Sequence, residues 1–422
     1  MSIFILFATF TLLVFFSVPI AIALGVATLL TIVSTGTLSI DFLVSTLITS
    51  VDSFPIMAVP FFILAGDIMG SGGISQRLVN FANSLVKNIT GGFAIASIIT
   101  CMFFAAISGS GPATVAAVGG IMIPAMIKYG YDKAFATAVV TAAGAIGVMI
   151  PPSIPMVMYG VSASASIGDL FIAGVVPGVL VSFCLMVYSY YYAKKKGYKG
   201  TDEPFSLKEV WVQFKHAQLA LLIPVIILGG IYGGIFTPTE ASVVTVVYAL
   251  IVSLFVYKEI SFTDLAPIFT KSVITSVIVL IIVGTATAFG KYLALEQIPN
   301  QIANAMLAFS DSKAVFILLM VALLLIVGCF METVAAIIIL TPILVPVATL
   351  FGFDVVHVGI IMVVTLAIGF ITPPLGLNLF VGSSVSGVSV ETLSKAIIPF
   401  FLTMLVALAL IVFIPQLSLA LI

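Results

Sequence analysis

The chain has 422 residues, 62% of them hydrophobic and only 7% charged, with a formal net charge of −1. A soluble domain carries about 25% charged residues, so a soluble enzyme is excluded, and the lack of a basic patch excludes a nucleic-acid binder. Apolar runs of about 20 residues, long enough to span a bilayer, fill almost the whole length, which makes this an all-α polytopic membrane protein. Cys101, Cys184 and Cys329 are scattered in apolar runs and read as small core residues. His216 and His357 have no Cys or carboxylate at ligand spacing, so no zinc site is expected.

In chain order, residues 1–33 are apolar with a break at Pro19. No charged region precedes the first apolar run, so it reads as a retained helix rather than a cleaved signal peptide. Residues 38–54 mix apolar residues with Ser, Thr and Asp, as an interfacial helix does. A span over 55–69 and an amphipathic segment over 74–88 follow. Residues 91–128 hold two apolar helices of about 14 residues around Ser108-Gly109-Ser110-Gly111-Pro112. These are short for a span, so they predict a re-entrant hairpin whose tip lines a cavity. Asp132 is placed to cap the helix after it.

Residues 132–165 form a helix broken at Pro151-Pro152, and 170–193 form a span ended by Lys194, Lys195 and Lys196, which the positive-inside rule puts in the cytoplasm. Residues 201–216 read as a cytoplasmic linker between two halves, 1–200 and 217–422. The second half repeats the order: scaffold spans over 217–235, 241–257 and 261–293, an amphipathic piece over 296–309, a hairpin over 313–351 around Gly328-Cys329-Phe330-Met331-Glu332-Thr333, a helix over 354–385 broken at Pro373-Pro374, and a span over 390–422.

A shift of 222 residues (373 − 151) superposes the Pro-Pro pairs, and also Pro124 on Pro346, Gly130 on Gly352, Asp132 on Asp354, Gly147 on Gly369 and Pro177 on Pro399. A shift of 224 pairs Gly66 with Gly290. Three crossings separate the lysine cluster from the second hairpin, which therefore enters from the outer face, while counting back puts the first hairpin's entry on the cytoplasmic face. The repeats are expected to be inverted, with tips and breaks converging near the midplane.

Proline lacks an N–H, so each Pro-Pro pair frees carbonyls four residues upstream: those of Gly147 and Val148, and of Gly369 and Phe370. Free carbonyls at a helix C-terminus suit a hard monovalent cation such as Na⁺. Hydroxyls of Ser108, Ser110, Thr114, Ser153, Thr333 and Thr372 lie at the tips and breaks. The N-termini of the trailing half-helices suit a carboxylate. Glu332 is an acid at mid-depth, a functional candidate that could equally cap its helix. Asn378 reads as interhelical glue or a substrate contact. Glu240, Lys271 and Lys291 lie near expected helix ends and are expected to snorkel, leaving no Arg or Lys in the site.

The motifs SGSGPATV (108–115), GVMIPPSIPM (147–156), GGIFTPTEAS (233–242), GCFMET (328–333) and GFITPPLGLNLF (369–380) together resemble the large membrane subunit (M, DctM-like) of tripartite ATP-independent periplasmic (TRAP) transporters, over essentially the whole chain. The acid Glu332 stands where that family often has Asp. The resemblance implies an elevator-type secondary transporter of the ion transporter superfamily kind, in a bacterial inner membrane, taking up an organic acid with Na⁺. It implies two Na⁺ sites, one at Ser108, Gly147, Ile150 and Pro152, the other at Gly328, Gly369, Thr372 and Leu375. Ser108, Ser110, Ser153, Glu332 and Asn378 become the candidate substrate contacts. The implied partners are a small four-helix membrane subunit, a periplasmic substrate-binding protein and membrane lipid, with C4-dicarboxylates and sialic acid the commonest substrates. The competing reading is a stand-alone ion-coupled carboxylate or anion carrier. A channel would need a longer polar stripe, and an intramembrane protease a nucleophile–base or two-acid pairing; neither is visible.

Overall fold

The computed structural model describes residues 2–16, 18–36, 38–201, 204–301, 304 and 312–422. Five helices open the first half: α1 (Ser2–Phe15), α2 (Ile20–Thr35), α3 (Ile40–Val51), α4 (Ala58–Ser71) and α5 (Ile74–Val86). The hairpin is α6 (Gly92–Ser108) with α7 (Gly111–Lys128), the broken helix is α8 (Lys133–Gly144) with α9 (Ile154–Ala163), and α10 is Ile167–Lys196. The second half has α11 (Leu207–Tyr232), α12 (Pro238–Ile251) and α13 (Phe262–Leu295). After them come the hairpin α14 (Lys313–Phe330) and α15 (Thr333–Leu350), the broken helix α16 (Val355–Gly369) and α17 (Leu377–Ser386), α18 (Val390–Phe413) and the short α19 (Gln416–Leu419). Nine helices among the described residues are long and apolar enough to cross a membrane.

The local chemistry repeats with the order. Asp132 caps α8 by accepting from Phe135 N at 2.9 Å, and Asp354 caps α16 by accepting from Val356 N at 2.8 Å. Each trailing half-helix packs across the repeat boundary, α9 on α15 and α17 on α7 and α8, so the hairpins and broken helices form one interlocked core. Helices α12 and α13 both pack on α4, and α13 also packs on α2, α3 and α15. Basic and acidic groups collect at one face. Lys87 donates to Glu209 at 2.7 Å, Arg77 pairs with Glu259 at 3.1 Å, and Gly91 N donates to Tyr198 O at 3.1 Å just beyond Lys194–Lys196.

Two expectations change. The hairpin arms have 17 and 18 residues in the first repeat and 18 each in the second, longer than the sequence implies. The loop shrinks to Gly109, at φ 59°, and Ser110. Pro112 falls in the first turn of α7, where no N–H is needed. The linker expected over 201–216 is helical from Leu207, because Ser206 caps α11 by accepting from Glu209 N at 3.3 Å. Of the amphipathic piece over 296–309, positions 302, 303 and 305–309 lie outside the described residues.

Candidate functional site

The first hairpin tip rests directly on the first break. α8 tightens into a 3₁₀ turn over Ala145–Val148, and the Pro151–Pro152 bond is cis. Gly147 is needed there. A Cβ on it would lie 2.6 Å from both Ser110 O and Thr114 Oγ1, closer than any side chain tolerates. Gly109 likewise lets Pro152 O approach, where a Cβ would stand 3.0 Å away. Ser108 Oγ lies 3.1 Å from Thr114 Oγ1, and Thr114 Oγ1 donates to Ser110 O at 2.7 Å. Ser108, Gly147 and Pro152 are thereby brought into one neutral cluster of hydroxyl and carbonyl oxygens. The side chain of Ile150 turns toward Gly178 on α10, so only its backbone faces the break.

The second tip and break repeat this more tightly. A Cβ on Gly369 would lie 2.4 Å from Gly328 C and 2.7 Å from Gly328 O, so two backbones touch. Cys329 Sγ donates to Thr372 O at 3.3 Å, binding tip to break, and Pro373–Pro374 is also cis. Gly328, Gly369 and Thr372 therefore converge, while Leu375 lies in the turn beyond them, exposed. Both clusters offer neutral oxygens, which match a hard monovalent cation better than a soft one. Among the described residues no three His, Cys, Asp or Glu side chains gather.

Three of the four freed carbonyls, those of Val148, Gly369 and Phe370, find donors. Ser153 Oγ donates to Val148 O at 2.6 Å and accepts from Met156 N at 3.4 Å. Thr372 N donates to Gly369 O at 3.0 Å, and Asn378 N to Phe370 O at 3.0 Å. A carbonyl oxygen has two lone pairs, so these bonds orient the oxygens without exhausting them.

A cavity of about 420 Å³ lies where the first tip meets Glu332 and helices α4 and α13. Ser108, Ser110 and Glu332 all line it; Ser153 and Asn378 do not. Ser153 is buried behind the tip with its hydroxyl committed to Val148 and Met156. Asn378 is buried on α17, and its Nδ2 donates to Thr141 O of α8 at 3.4 Å, which fits its reading as glue between repeats. Glu332 caps α15, accepting from Val334 N at 2.9 Å and Ala335 N at 3.2 Å, both on Oε2. The shift of 222 carries Ser110 to Glu332, so the caps of two equivalent helices face one cavity.

Lys271 does not snorkel clear of the site: it lines this cavity together with Asp67 of α4 and Thr275 of α13. Its Nζ lies 2.6 Å from Asp67 Oδ1. Sequence reasoning passed over Asp67, although a lone acid inside the apolar run of α4 carries the signal that singled out Glu332. Its partner lies 204 positions away, which spacing cannot reveal.

The family model for the "Tripartite ATP-independent periplasmic transporter, DctM component" matches residues 7–417. The chain belongs to the TRAP transporter DctM-component family. An isethionate TRAP transporter permease protein DctMQ of Oleidesulfovibrio alaskensis is 52% identical over 97% of this chain, which spans 65% of that relative's length. A C4-dicarboxylate TRAP transporter large permease protein DctM of Rhodobacter capsulatus is 40% identical over 100% of this chain and 99% of its own. A sialic acid TRAP transporter large permease protein SiaM of Vibrio cholerae is 39% identical over 97% and 96%. These TRAP relatives are named as permeases rather than enzymes. The fold is also that of the Alcanivorax borkumensis YdaH transporter, described as having an unusual topology, at a TM-score of 0.60 and 16% identity over 89% of this chain and 88% of that one.

Proposed function

We propose that this TRAP permease couples Na⁺ entry to uptake of an organic acid across the bacterial inner membrane. It would act with a small membrane subunit and a periplasmic substrate-binding protein. The observation that carries the reading is one cavity lined together by Ser108, Ser110 and Glu332, beside two oxygen clusters at matched breaks. The acid would sit at the tips, against the N-terminus of α7. Na⁺ would be held by oxygens of Ser108, Gly147, Ile150 and Pro152, and of Gly328, Gly369, Thr372 and Leu375, and would supply the positive charge that offsets the acid. The names of the relatives support isethionate, C4-dicarboxylates and sialic acid as substrate classes.

The cavity runs along α13 from Lys271 to Ile282. Gly72 and Gly73, one turn beyond Asp67, pack against Ser253 and Glu259 at the α12–α13 connection. That connection belongs to the charged face where Lys194–Lys196 end α10, the side that positive charge assigns to the cytoplasm. This placement supports reading the arrangement as inward-open, and inverted repeats would generate the outward one by sliding the interlocked core along α4 and α13.

The test is uptake into proteoliposomes holding the chain and its small subunit. Labelled isethionate, succinate and sialic acid are offered under an inward Na⁺ gradient, with and without the binding protein. Uptake needing both Na⁺ and the binding protein supports the proposal. Uptake with Na⁺ alone moves the chain to the stand-alone carriers, and Na⁺-independent uptake overturns the cation sites.

A further inference from the structure

The cavity contains a cation on the wall opposite the hairpin tips. Lys271 of α13 reaches Asp67 Oδ1 of α4 at 2.6 Å, and Ser272 Oγ donates to Asp67 Oδ2 at 2.7 Å. The two partners are unequally placed. The Asp67 side chain is 17% exposed, held between two helices, while that of Lys271 is 73% exposed. An ammonium has three donors, and its bond to Asp67 uses one. Lys271 lines the same cavity as Ser110 and Glu332, which leaves the remaining donors available to a molecule bound there.

Charge in this cavity does not favour an acid as it stands. Lys271 is matched by Asp67, and Glu332 adds a further negative group. An organic acid entering here must meet positive charge, and Lys271 is the Lys or Arg side chain that lines the space. Asp67 can release it at modest cost, because Ser272 still bonds the second carboxylate oxygen and because a partly exposed ion pair contributes only about 1 kcal/mol or less.

We infer that Lys271 is an exchangeable counter-ion for the substrate's acid group on the cytoplasmic side, and that Asp67 is the internal competitor that takes Lys271 back as the acid leaves. The inference rests on the transport reading above. Both residues sit on α4 and α13, whereas Ser108, Ser110 and Glu332 sit on the hairpins. If the core slides, Lys271 meets the substrate at one end of the travel only. Affinity measured from inside therefore depends on Lys271, and affinity measured from outside does not. The pair makes the cytoplasmic station an acid-binding site that empties itself: Asp67 supplies the same negative charge that the departing substrate removes.

The experiment measures two constants in proteoliposomes with the small subunit, the binding protein outside, and whichever of labelled isethionate, succinate or sialic acid the wild type takes up. One is the external concentration giving half-maximal uptake. The other is the internal concentration of the same acid that halves uptake by occupying the inward-facing site. Lys271→Gln is expected to raise the internal constant about fivefold, the equivalent of one partly exposed charge contact, and to leave the external constant within about twofold. Asp67→Asn frees Lys271 and is expected to lower the internal constant and slow net turnover. Lys271→Arg should keep the wild-type internal constant. The double variant Asp67→Asn/Lys271→Gln leaves no unpaired charge, so a merely structural ion pair predicts wild-type constants for it. The inference predicts the Lys271→Gln phenotype instead. Internal and external constants that are unchanged, or that move together, overturn the inference. Failure of the transport reading is distinguishable, because wild-type vesicles would then show no Na⁺-dependent uptake at all.

Discussion

The two repeats carry the same break in opposite surroundings. In the first, every residue from Pro151 to Gly160 is buried, and the tip at Ser108 lies under α4, where a Cβ on Gly66 would stand 3.4 Å from Ser108 Cα. In the second, Phe330 at the tip is 54% exposed and Leu375 in the break is 50% exposed. The α4 and α13 contacts explain the difference. Gly290, which the shift of 224 pairs with Gly66, touches Pro342 rather than its own repeat's tip. The repeat equivalent of Ser108 is Phe330 at the end of α14; the chain reverses before α15 starts at Thr333, so Gly290 meets the second hairpin nine residues (342 − 333) along its second arm. At 1.5 Å per residue that is about 14 Å away from the tip. Two equivalent hairpins therefore meet equivalent scaffold positions at different depths.

The strongest way to break the comparison is at the glycines where tip meets break. Gly369→Ala drives a Cβ into the Gly328 backbone, and Gly147→Ala drives one into Ser110 O and Thr114 Oγ1. Each should abolish Na⁺-dependent uptake, by about 100-fold or more, since strained contacts of this kind cost several kcal/mol. Gly120→Ala, with nothing within 4 Å of its added Cβ, should fold with wild-type thermal stability in the same assay series.

A smaller effect separates the sealed break from the open one. Ser153→Ala leaves the buried Val148 carbonyl without its hydroxyl donor and should lower stability by about 1–3 kcal/mol, read as a drop in the unfolding temperature in detergent. Thr372→Ala, whose hydroxyl bonds Ile368 O at 3.0 Å in the part-exposed break, should lower it by about 1 kcal/mol or less. Its larger effect should be weaker apparent Na⁺ affinity in uptake.

The smallest effect tests equivalence itself. Asp132→Ala and Asp354→Ala each remove a helix cap and should cost about 1 kcal/mol apiece. Thermal melts of the two variants that differ by much more than that would break the structural match between the repeats. Glu332→Gln sharpens the cavity side, because an amide oxygen still accepts from Val334 N and Ala335 N. It should preserve the fold, and any loss of transport then measures the charge rather than the cap.

Much of this was legible in the chain. The Pro-Pro pairs, the 222-residue shift and the Asp132 and Asp354 caps place both hairpins and both broken helices, because Pro, Gly and capping residues act locally. The length of the hairpin arms was less legible: Gly111 and Pro112 read as loop, yet both are tolerated in the first turn of a helix. Ser153 and Asn378 were drawn to the site by their position beside the breaks, and the fold turns both inward to hydrogen-bond backbone. Asp67 was passed over, and Lys271 was read as snorkelling, for the opposite reason. Their pairing exists only once α4 and α13 are packed, and no local pattern announces a contact between residues 204 positions apart.

The most direct test of the asymmetry is a pair of cysteine cross-links in a background with Cys101, Cys184 and Cys329 replaced by serine. Gly290→Cys/Pro342→Cys joins positions already in contact. Gly66→Cys/Gly120→Cys joins the positions that would meet if the halves exchanged environments, since Gly120 is the repeat equivalent of Pro342 (342 − 222 = 120). The account predicts that both pairs cross-link in membranes, that each arrests transport reversibly, and that an outward-directed Na⁺ gradient changes their ratio. A Gly66→Cys/Gly120→Cys pair that never cross-links under any gradient, while Gly290→Cys/Pro342→Cys does so fully, would contradict it.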